Sequence, residues 1–463
     1  MLRRILTPLA YLSLAVLLVG ATIVLVAYGR GYSYDIKSNR WLINGLLLVN
    51  SSPSGATVKI NGKALRRKTP YRNTLEAGDY SVEVSKLGYR SWAKTLSIVA
   101  SGVTWDQYIL LFPLEIHTQQ LQNTSPVVGM YSSPDRRHIA YLTSGNDGAL
   151  WALVGDGHQS TKVYTPKTAL GDQPAEVLSD VVWSDDGSHL LAHSTIGPKT
   201  SYILLPANGN GDPINLSDLF GLSLANPRFN PSNWRELYFV GPEGLRRLNV
   251  EAQTVSAVLA DKVAAYNFAP GDKILYIQTT PLGKSVWSLD RSGHKQELIQ
   301  SLAESDAYAM EYSNYLGRDY LAVIPAQAHT LTLYRDIFSP TPIAKVVSKS
   351  ADQITFNDEG RYLILRNDAE FMAYDVDRDS LATPVQFGGK LSFFGWFDNY
   401  HLLTTVDGKL RLMDFDGTNS IEVDGSAAGL GQAYGAQDGK RLFWISQSDP
   451  KGNPQLFYLE LKK

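Results

Sequence analysis

Three arrangements of apolar and polar residues follow one another along this chain of 463 residues. The first is continuous: Leu9 to Tyr28, LAYLSLAVLLVGATIVLVAY, runs for twenty residues without a charge. The second, from Gly45 to Phe112, consists of short alternating runs separated by turn residues. The third begins at Pro113 and repeats apolar strands and tight polar turns with a period of roughly forty to fifty residues, the sign of a repeat architecture.

In helical form, at about 1.5 Å per residue, the first run crosses the roughly 30 Å hydrocarbon core of a bilayer. A cleaved signal peptide is the alternative, but its apolar core runs about 7–15 residues before a small-x-small site. Here the core is longer and no clean site follows it. The reading is an uncleaved transmembrane helix over 9–28, preceded by a short tail at 1–8. A polar-aromatic tether at 29–44 follows, whose Tyr32, Tyr34 and Trp41 suit the aromatic belt at a membrane surface. Arg3 and Arg4 on one flank balance Arg30, Lys37 and Arg40 on the other, so the positive-inside rule leaves orientation open.

In the second arrangement, Val58 and Ile60 lead into Asn61-Gly62, which supplies both positive φ angles of a type I′ hairpin turn. Leu75 to Asp79 reads as a second turn. Tyr80, Val82 and Val84 then alternate with Ser81, Glu83 and Ser85, the period of two of a half-buried antiparallel strand. Gly88 interrupts before Tyr89 and Trp92, and Leu96, Ile98 and Ala100 predict a further strand. These landmarks carry a resemblance: Ser52-Pro53-Ser54-Gly55-Ala56-Thr57-Val58, Asn61-Gly62, Thr69-Pro70, Leu75, Gly78-Asp79-Tyr80 and Gly88-Tyr89 resemble the PEGA domain. Ser54 stands where that family's naming motif has Glu. The resemblance implies a small β-sandwich over 45–112. Because the family occurs in prokaryotic surface and envelope proteins, it also implies a cytoplasmic amino terminus and an extracytoplasmic bulk.

Eight units are predicted over 113–463. The clearest open at Ser133-Pro134-Asp135 and at Trp183-Ser184-Asp185-Asp186-Gly187; others open at Phe229-Asn230-Pro231, Phe268-Ala269-Pro270 and Tyr312-Ser313. The last three open at Phe356-Asn357-Asp358-Glu359-Gly360, Trp396-Phe397-Asp398-Asn399 and Ala436-Gln437-Asp438-Gly439. Third strands follow at 149–154, 201–205, 244–250, 285–289, 330–334, 370–376, 409–415 and 455–461. The units resemble the Ser-Pro-Asp-Gly repeats of TolB-like and WD-type β-propellers, which implies eight blades, or seven if one unit is miscounted; two separate sandwiches are the alternative. Since the last unit supplies three strands, its fourth is expected from Leu114 to Thr118, joining the two ends of the domain. Residues 156–180 and 208–226 are read as long loops, with Leu216, Leu219, Phe220 and Leu222 as an apolar patch or short helix.

A net charge of −2 argues against a nucleic-acid binder held by bulk electrostatics. The absence of cysteine excludes disulfides, thiolate metal sites and a cysteine nucleophile. Asp375-Val376-Asp377-Arg378-Asp379 and Asp414-Phe415-Asp416-Gly417-Thr418-Asn419 alternate carboxylates as a calcium loop does. At the twelfth loop position, where a bidentate acid belongs, they have Gln386 and Gly425. His189 and His193 have the spacing of paired ligands on a helix, yet fall on a predicted strand. Leu65-Arg66-Arg67-Lys68 is a basic loop cluster, read as solvated charge or as a contact for anionic polymer or lipid headgroups. No Gly-x-Ser-x-Gly elbow, Walker A loop or His-Glu-x-x-His helix is present. The expectation is therefore a non-catalytic, membrane-anchored surface protein that binds or scaffolds. No catalytic, metal or cofactor residue is assigned. Its partners would be the bilayer and an envelope protein or glycan, not nucleic acid. The alternative is an envelope hydrolase or lyase with a site assembled from propeller loops.

Overall fold

The computed structural model describes residues 2–29, 31–35, 39–121, 125–145, 148–154, 160–171, 174–348, 350–424, 431–437, 439–447 and 452–461. Arg30, Lys37, Asp156, Gly425 and Asp438, used above, lie outside them. The chain is mainly β and divides into two compact units, Met1–Ile116 and His117–Leu461.

The first unit opens with helix α1, Leu2–Gly29. Its segment Tyr11–Gly29 has a mean hydropathy of 2.3 and none of its residues is buried, so by length and composition it can cross a membrane or serve as a signal sequence. Eight strands follow: β1 Tyr32–Asp35, β2 Arg40–Ser52, β3 Thr57–Ile60, β4 Lys63–Lys68, β5 Tyr71–Glu76, β6 Gly78–Ser85, β7 Trp92–Ile98 and β8 Val103–Leu110. They form two sheets. In one, β2 pairs with β1 through its first part, in parallel with β8 through its second, and with β5 along its other edge. The other runs in the order β4-β3-β6-β7. Between them lie Leu47, Val49, Val58, Val82, Val84, Trp92, Leu96, Ile98 and Ile109.

The landmark residues fall into place physically. Asn61 (φ 48°) and Gly62 (φ 77°) make the I′ turn between β3 and β4. Thr69 is buried; its hydroxyl lies 2.7 Å from that of Ser51 and accepts from the Ala56 amide at 3.0 Å. The Ser52–Ala56 loop and the Thr69-Pro70 corner are thus one hydrogen-bonded structure.

Three expectations are corrected here. Residues 29–44 hold β1 and the start of β2 (Tyr34 opposite Trp41), because the polar-aromatic alternation pairs with itself. The turn at Leu75 to Asp79 carries the chain from one sheet to the other, since β5 pairs with β2 and β6 with β3. The strand expected through Ala100 stops at Ile98. The Leu65–Lys68 cluster is on β4, a sheet edge, where Lys and Arg block pairing with other chains.

The second unit consists of eight antiparallel sheets, each of four strands apart from an extra two-residue strand in the sixth. We number them I to VIII, at residues 127–164, 176–215, 228–255, 263–302, 308–348, 353–386, 391–424 and 433–460. Each of the eight predicted third strands is present. Consecutive sheets share apolar cores, as between I and II at Ala140, Leu150, Leu178 and Trp183. Sheets VII and VIII meet where Phe397 covers Gly435 and the Phe393 and Tyr434 rings lie 5.7 Å apart. Sheet VIII then packs against sheet I through Phe443, Ile445, Leu456, Met130, Ile139 and Tyr141.

The fourth strand of sheet VIII is β9, Thr118–Gln120, paired with Gln455–Glu460 in the register Leu459↔Thr118 and Tyr458↔Gln119. Of the segment expected for this role only Thr118 takes part; Leu114, Glu115 and Ile116 belong to the first unit. Neither expected long loop is a loop throughout. Ser160–Tyr164 is the fourth strand of sheet I and Glu176 opens sheet II. Ile214–Asn215 completes sheet II and leads into helix α2, Leu216–Phe220, capped by Asn215. The short helix expected there is present: Leu216 is fully buried, Phe220 and Leu222 pack partly against the same core, and Leu219 is exposed.

Candidate functional site

The turns joining first to second strands in sheets I, II, VI and VIII share one construction. In sheet II the Ser184 amide donates to the His189 carbonyl (2.9 Å) and the Gly187 amide to the Ser184 carbonyl (2.9 Å). Gly187 is left-handed (φ 67°), and Asp186 accepts from the Ser184 hydroxyl and the Ser188 amide. Sheet VI repeats this with Asn357, Gly360 and Tyr362. In sheet V the two residues Leu316 (φ 50°) and Gly317 (φ 77°) form a shorter I′ turn.

These turns are cross-linked. Arg136, in the sheet I turn, donates from Nη1 to the Phe397 carbonyl of sheet VII at 2.8 Å and from Nη2 to Asp358 of sheet VI. The Gln437 amide of sheet VIII donates to the Arg136 carbonyl at 3.1 Å. Asn357 reaches the Asn399 carbonyl at 3.0 Å, and Tyr400 donates to Glu359 at 3.1 Å. Next to this chain, the Asp398 carboxylate lies 2.8 Å from His401 Nδ1, and His401 Nε2 lies 3.7 Å from Asp414. Burial alone would raise the Asp398 pKa; the His401 charge and the amides of Tyr400 and His401 outweigh it and hold the carboxyl below its usual range.

A second group comes from sheets II to V. Arg228, beginning sheet III, donates to the Tyr266 carbonyl (3.1 Å) and Asn267 Oδ1 (3.3 Å) and lies over the Tyr266 and Phe268 rings. Asn267 in turn donates to the Met310 carbonyl at 2.9 Å, beside Glu311. Desolvation pushes the Glu311 pKa up, against the opposing pull of Arg228 and Asn267. Asp185 is also raised, by desolvation first, with Arg228 opposing. Asp185 is exposed and Glu311 half-buried. Arg228 and Tyr266 line a recess of about 400 Å³ together with Asn226 and Val263. An arginine held over aromatic rings beside two reluctant carboxyls can take a polar, partly anionic ligand or move a proton.

The sequence singled out none of Arg136, Arg228 and Glu311. The usable signal was a charged residue on an expected first strand just before a repeat opening: Arg228 before Phe229-Asn230, Glu311 before Tyr312-Ser313.

The suspected metal motifs are otherwise engaged. Asp375 receives Arg361 Nη2 at 2.8 Å, Asp377 lies 3.5 Å from the same guanidinium, and Asp379 receives Lys345 at 2.5 Å. Asp414 and Asp416 accept from Thr418 and Asn419 within their own turn. His189 stacks on Trp234 at 3.5 Å, whereas His193 lies 3.1 Å from the Ser179 hydroxyl. On a strand, residues four apart are separated by about 13 Å, too far to share an ion. Among the described residues no cluster of three or more His, Asp or Glu is placed to hold a metal.

Residues 44–110 match the PEGA domain, and with the repeats that follow they define a mainly β protein of PEGA domain and propeller-like sheets. No curated protein matches the chain. Solved structures similar to it include an oligogalacturonate lyase in complex with manganese, at 13% identity, covering 75% of this chain and 98% of that one with a TM-score of 0.42. A prolyl endopeptidase is 12% identical over 72% of this chain and 54% of its own, TM-score 0.48. Saccharomyces cerevisiae Sqt1 is 11% identical over 75% and 98%, TM-score 0.47.

Proposed function

We propose that this is a single-pass membrane protein of a prokaryotic envelope, amino terminus cytoplasmic, whose eight sheets are the blades of a closed propeller that binds a partner outside the cell. The observation that carries the binding role is the cross-linked set of first-to-second-strand turns. Arg136, Asp358, Phe397 and Gln437 come from four sheets and fix one surface, and rigid scaffolds that present loops together are where recognition concentrates. The partner would be an envelope protein or glycan, with the bilayer engaged through α1. Photo-crosslinking residues placed at Arg137, Asp185 and Glu359 test this against controls at Leu381 and Val346. Adducts formed in intact cells from the first set alone support the proposal; equal labelling, or none from the first set, contradicts it.

A second reading, an envelope hydrolase or lyase, has one observation in its favour. Glu311 and Asp185 both have pKa values raised by desolvation, each opposed by the charge of Arg228, and perturbed carboxyls around one arginine are what acid-base chemistry would use.

A further inference from the structure

The end of α1 and the PEGA-like sandwich meet at a tight corner. Only two residues separate Gly29 from Tyr32, and the Gly31 amide donates back to the Tyr28 carbonyl at 3.0 Å. Gly31 is left-handed (φ 83°), and a Cβ there would lie 2.5 Å from the Asn44 carbonyl oxygen and 3.6 Å from Ser101 Cα. The chain therefore leaves the helix directly against β2 and the Val99–Val103 turn, with no spacer.

Around that corner the surface is apolar. Val99, Val103, Trp105 and Trp41 are between 53% and 66% exposed. The pairing explains why. Leu46 opposes Val103 and Leu48 opposes Trp105, on the face of β2 turned away from the core residues Leu47 and Val49. β2 is thus apolar on both faces, where a strand with one solvated face alternates. At the start of β2, where Trp41 is in phase with Leu47 and Val49 but exposed, the Tyr34 and Trp41 rings pack edge to face at 5.2 Å. Tryptophan and tyrosine with aliphatic neighbours form the belt found where protein meets headgroups.

We propose that this outer face is seated in the interfacial region of the same bilayer that α1 spans, so that the PEGA-like domain lies on the membrane and does not hang from a flexible tether. The occupant is lipid because two residues separate α1 from β1: Tyr32 cannot stand more than about 10 Å from the helix exit at strand spacing, and β1 pairs directly with the β2 strand that carries this face. This inference rests on α1 being a membrane anchor.

The test uses the full chain reconstituted in phosphatidylcholine–phosphatidylglycerol vesicles whose acyl chains are brominated near the headgroup end. Bromine quenches tryptophan emission only at close range. Quenching of the parent, and its loss in the Trp41→Phe, Trp105→Phe double variant, is the expected result. Unchanged circular dichroism shows the variant is folded; a second double variant, Val103→Ser with Val99→Ser, is expected to weaken the quenching with both tryptophans present. Alkaline carbonate extraction separates the two levels of failure. A chain retained by carbonate but not quenched overturns the seated domain alone; a chain released by carbonate overturns the anchor and the seating with it.

Discussion

Arg136 Nη1 lies 2.8 Å from the carbonyl oxygen of Phe397, a residue 261 positions further along the chain. Arg136 itself is left-handed, φ 55°, at the corner of the sheet I turn, and its side chain is largely buried. Burial disfavours its charge, which the nearby Asp398 partly restores. One side chain thus ties sheet I to sheets VI and VII, across sheet VIII, where the first and last strands of the second unit pair.

Removing that tie leaves a buried carbonyl and the Asp358 carboxylate without their donor. Arg136→Ala should lower stability by about 1–3 kcal/mol, the range for losing charged hydrogen bonds. Arg136→Lys should recover only part, because one ammonium cannot reproduce the fork. Urea midpoints of the three proteins check this; an unchanged midpoint for the alanine variant would show the contact to be incidental.

β9 supplies the last strand of sheet VIII from the opposite end of the unit, with the Tyr458 hydroxyl donating to the Gln119 side chain. Gln119→Pro removes a ladder donor there and fixes φ, which a short paired strand tolerates poorly. The expected outcome is a lower melting temperature for the unit as a whole, in one transition. A variant that melts like the parent, with only residues near Glu460 losing protection from hydrogen exchange, would mean that β9 is dispensable.

Glu311 makes a signed pH prediction. Its folded pKa is raised above the ordinary Glu value of about 4.3, so the folded state holds the proton more tightly than the unfolded one. Stability from this group is fully present below that value and is lost as pH rises through the folded pKa. Glu311→Gln should match the parent near pH 4 and exceed it at neutral pH, as read by melting temperature. A neutral-pH loss instead would mean that the pairing with Arg228 dominates desolvation. A gain in stability accompanied by loss of an activity or ligand would mark Glu311 as functional, since sites keep such destabilising groups at a cost to the fold.

What could be read from the sequence followed from local rules. The eight third strands and the turns at Ser133, Ser184, Asn357 and Phe397 were legible because alternation and Asp, Asn or Gly at fixed offsets act within a few residues. Several fourth strands were not. Ile214–Asn215, Thr254–Val255 and Ser380–Leu381 are two residues long, too short for any periodicity, and hold their place by pairing alone. Missing Ile214–Asn215 left the residues before helix α2 as loop, and the five-residue Ser160–Tyr164 was missed as well. The β1–β2 hairpin escaped because Trp41-Leu42-Ile43 follows charged and turn residues that read as a tether. The tie from Arg136 to Phe397 has no local trace.

The absence of native cysteine makes the central claim, an anchored chain with its propeller outside the membrane, directly measurable. Single cysteines at Leu282 and Leu87, 96% and 99% exposed, report on the two units, and one at Arg4 reports on the amino terminus. Spheroplasts are treated with a membrane-impermeant maleimide before and after lysis. The account predicts labelling at Leu282→Cys and Leu87→Cys in intact spheroplasts, and labelling at Arg4→Cys only after lysis. Protection of the first two until lysis would contradict it.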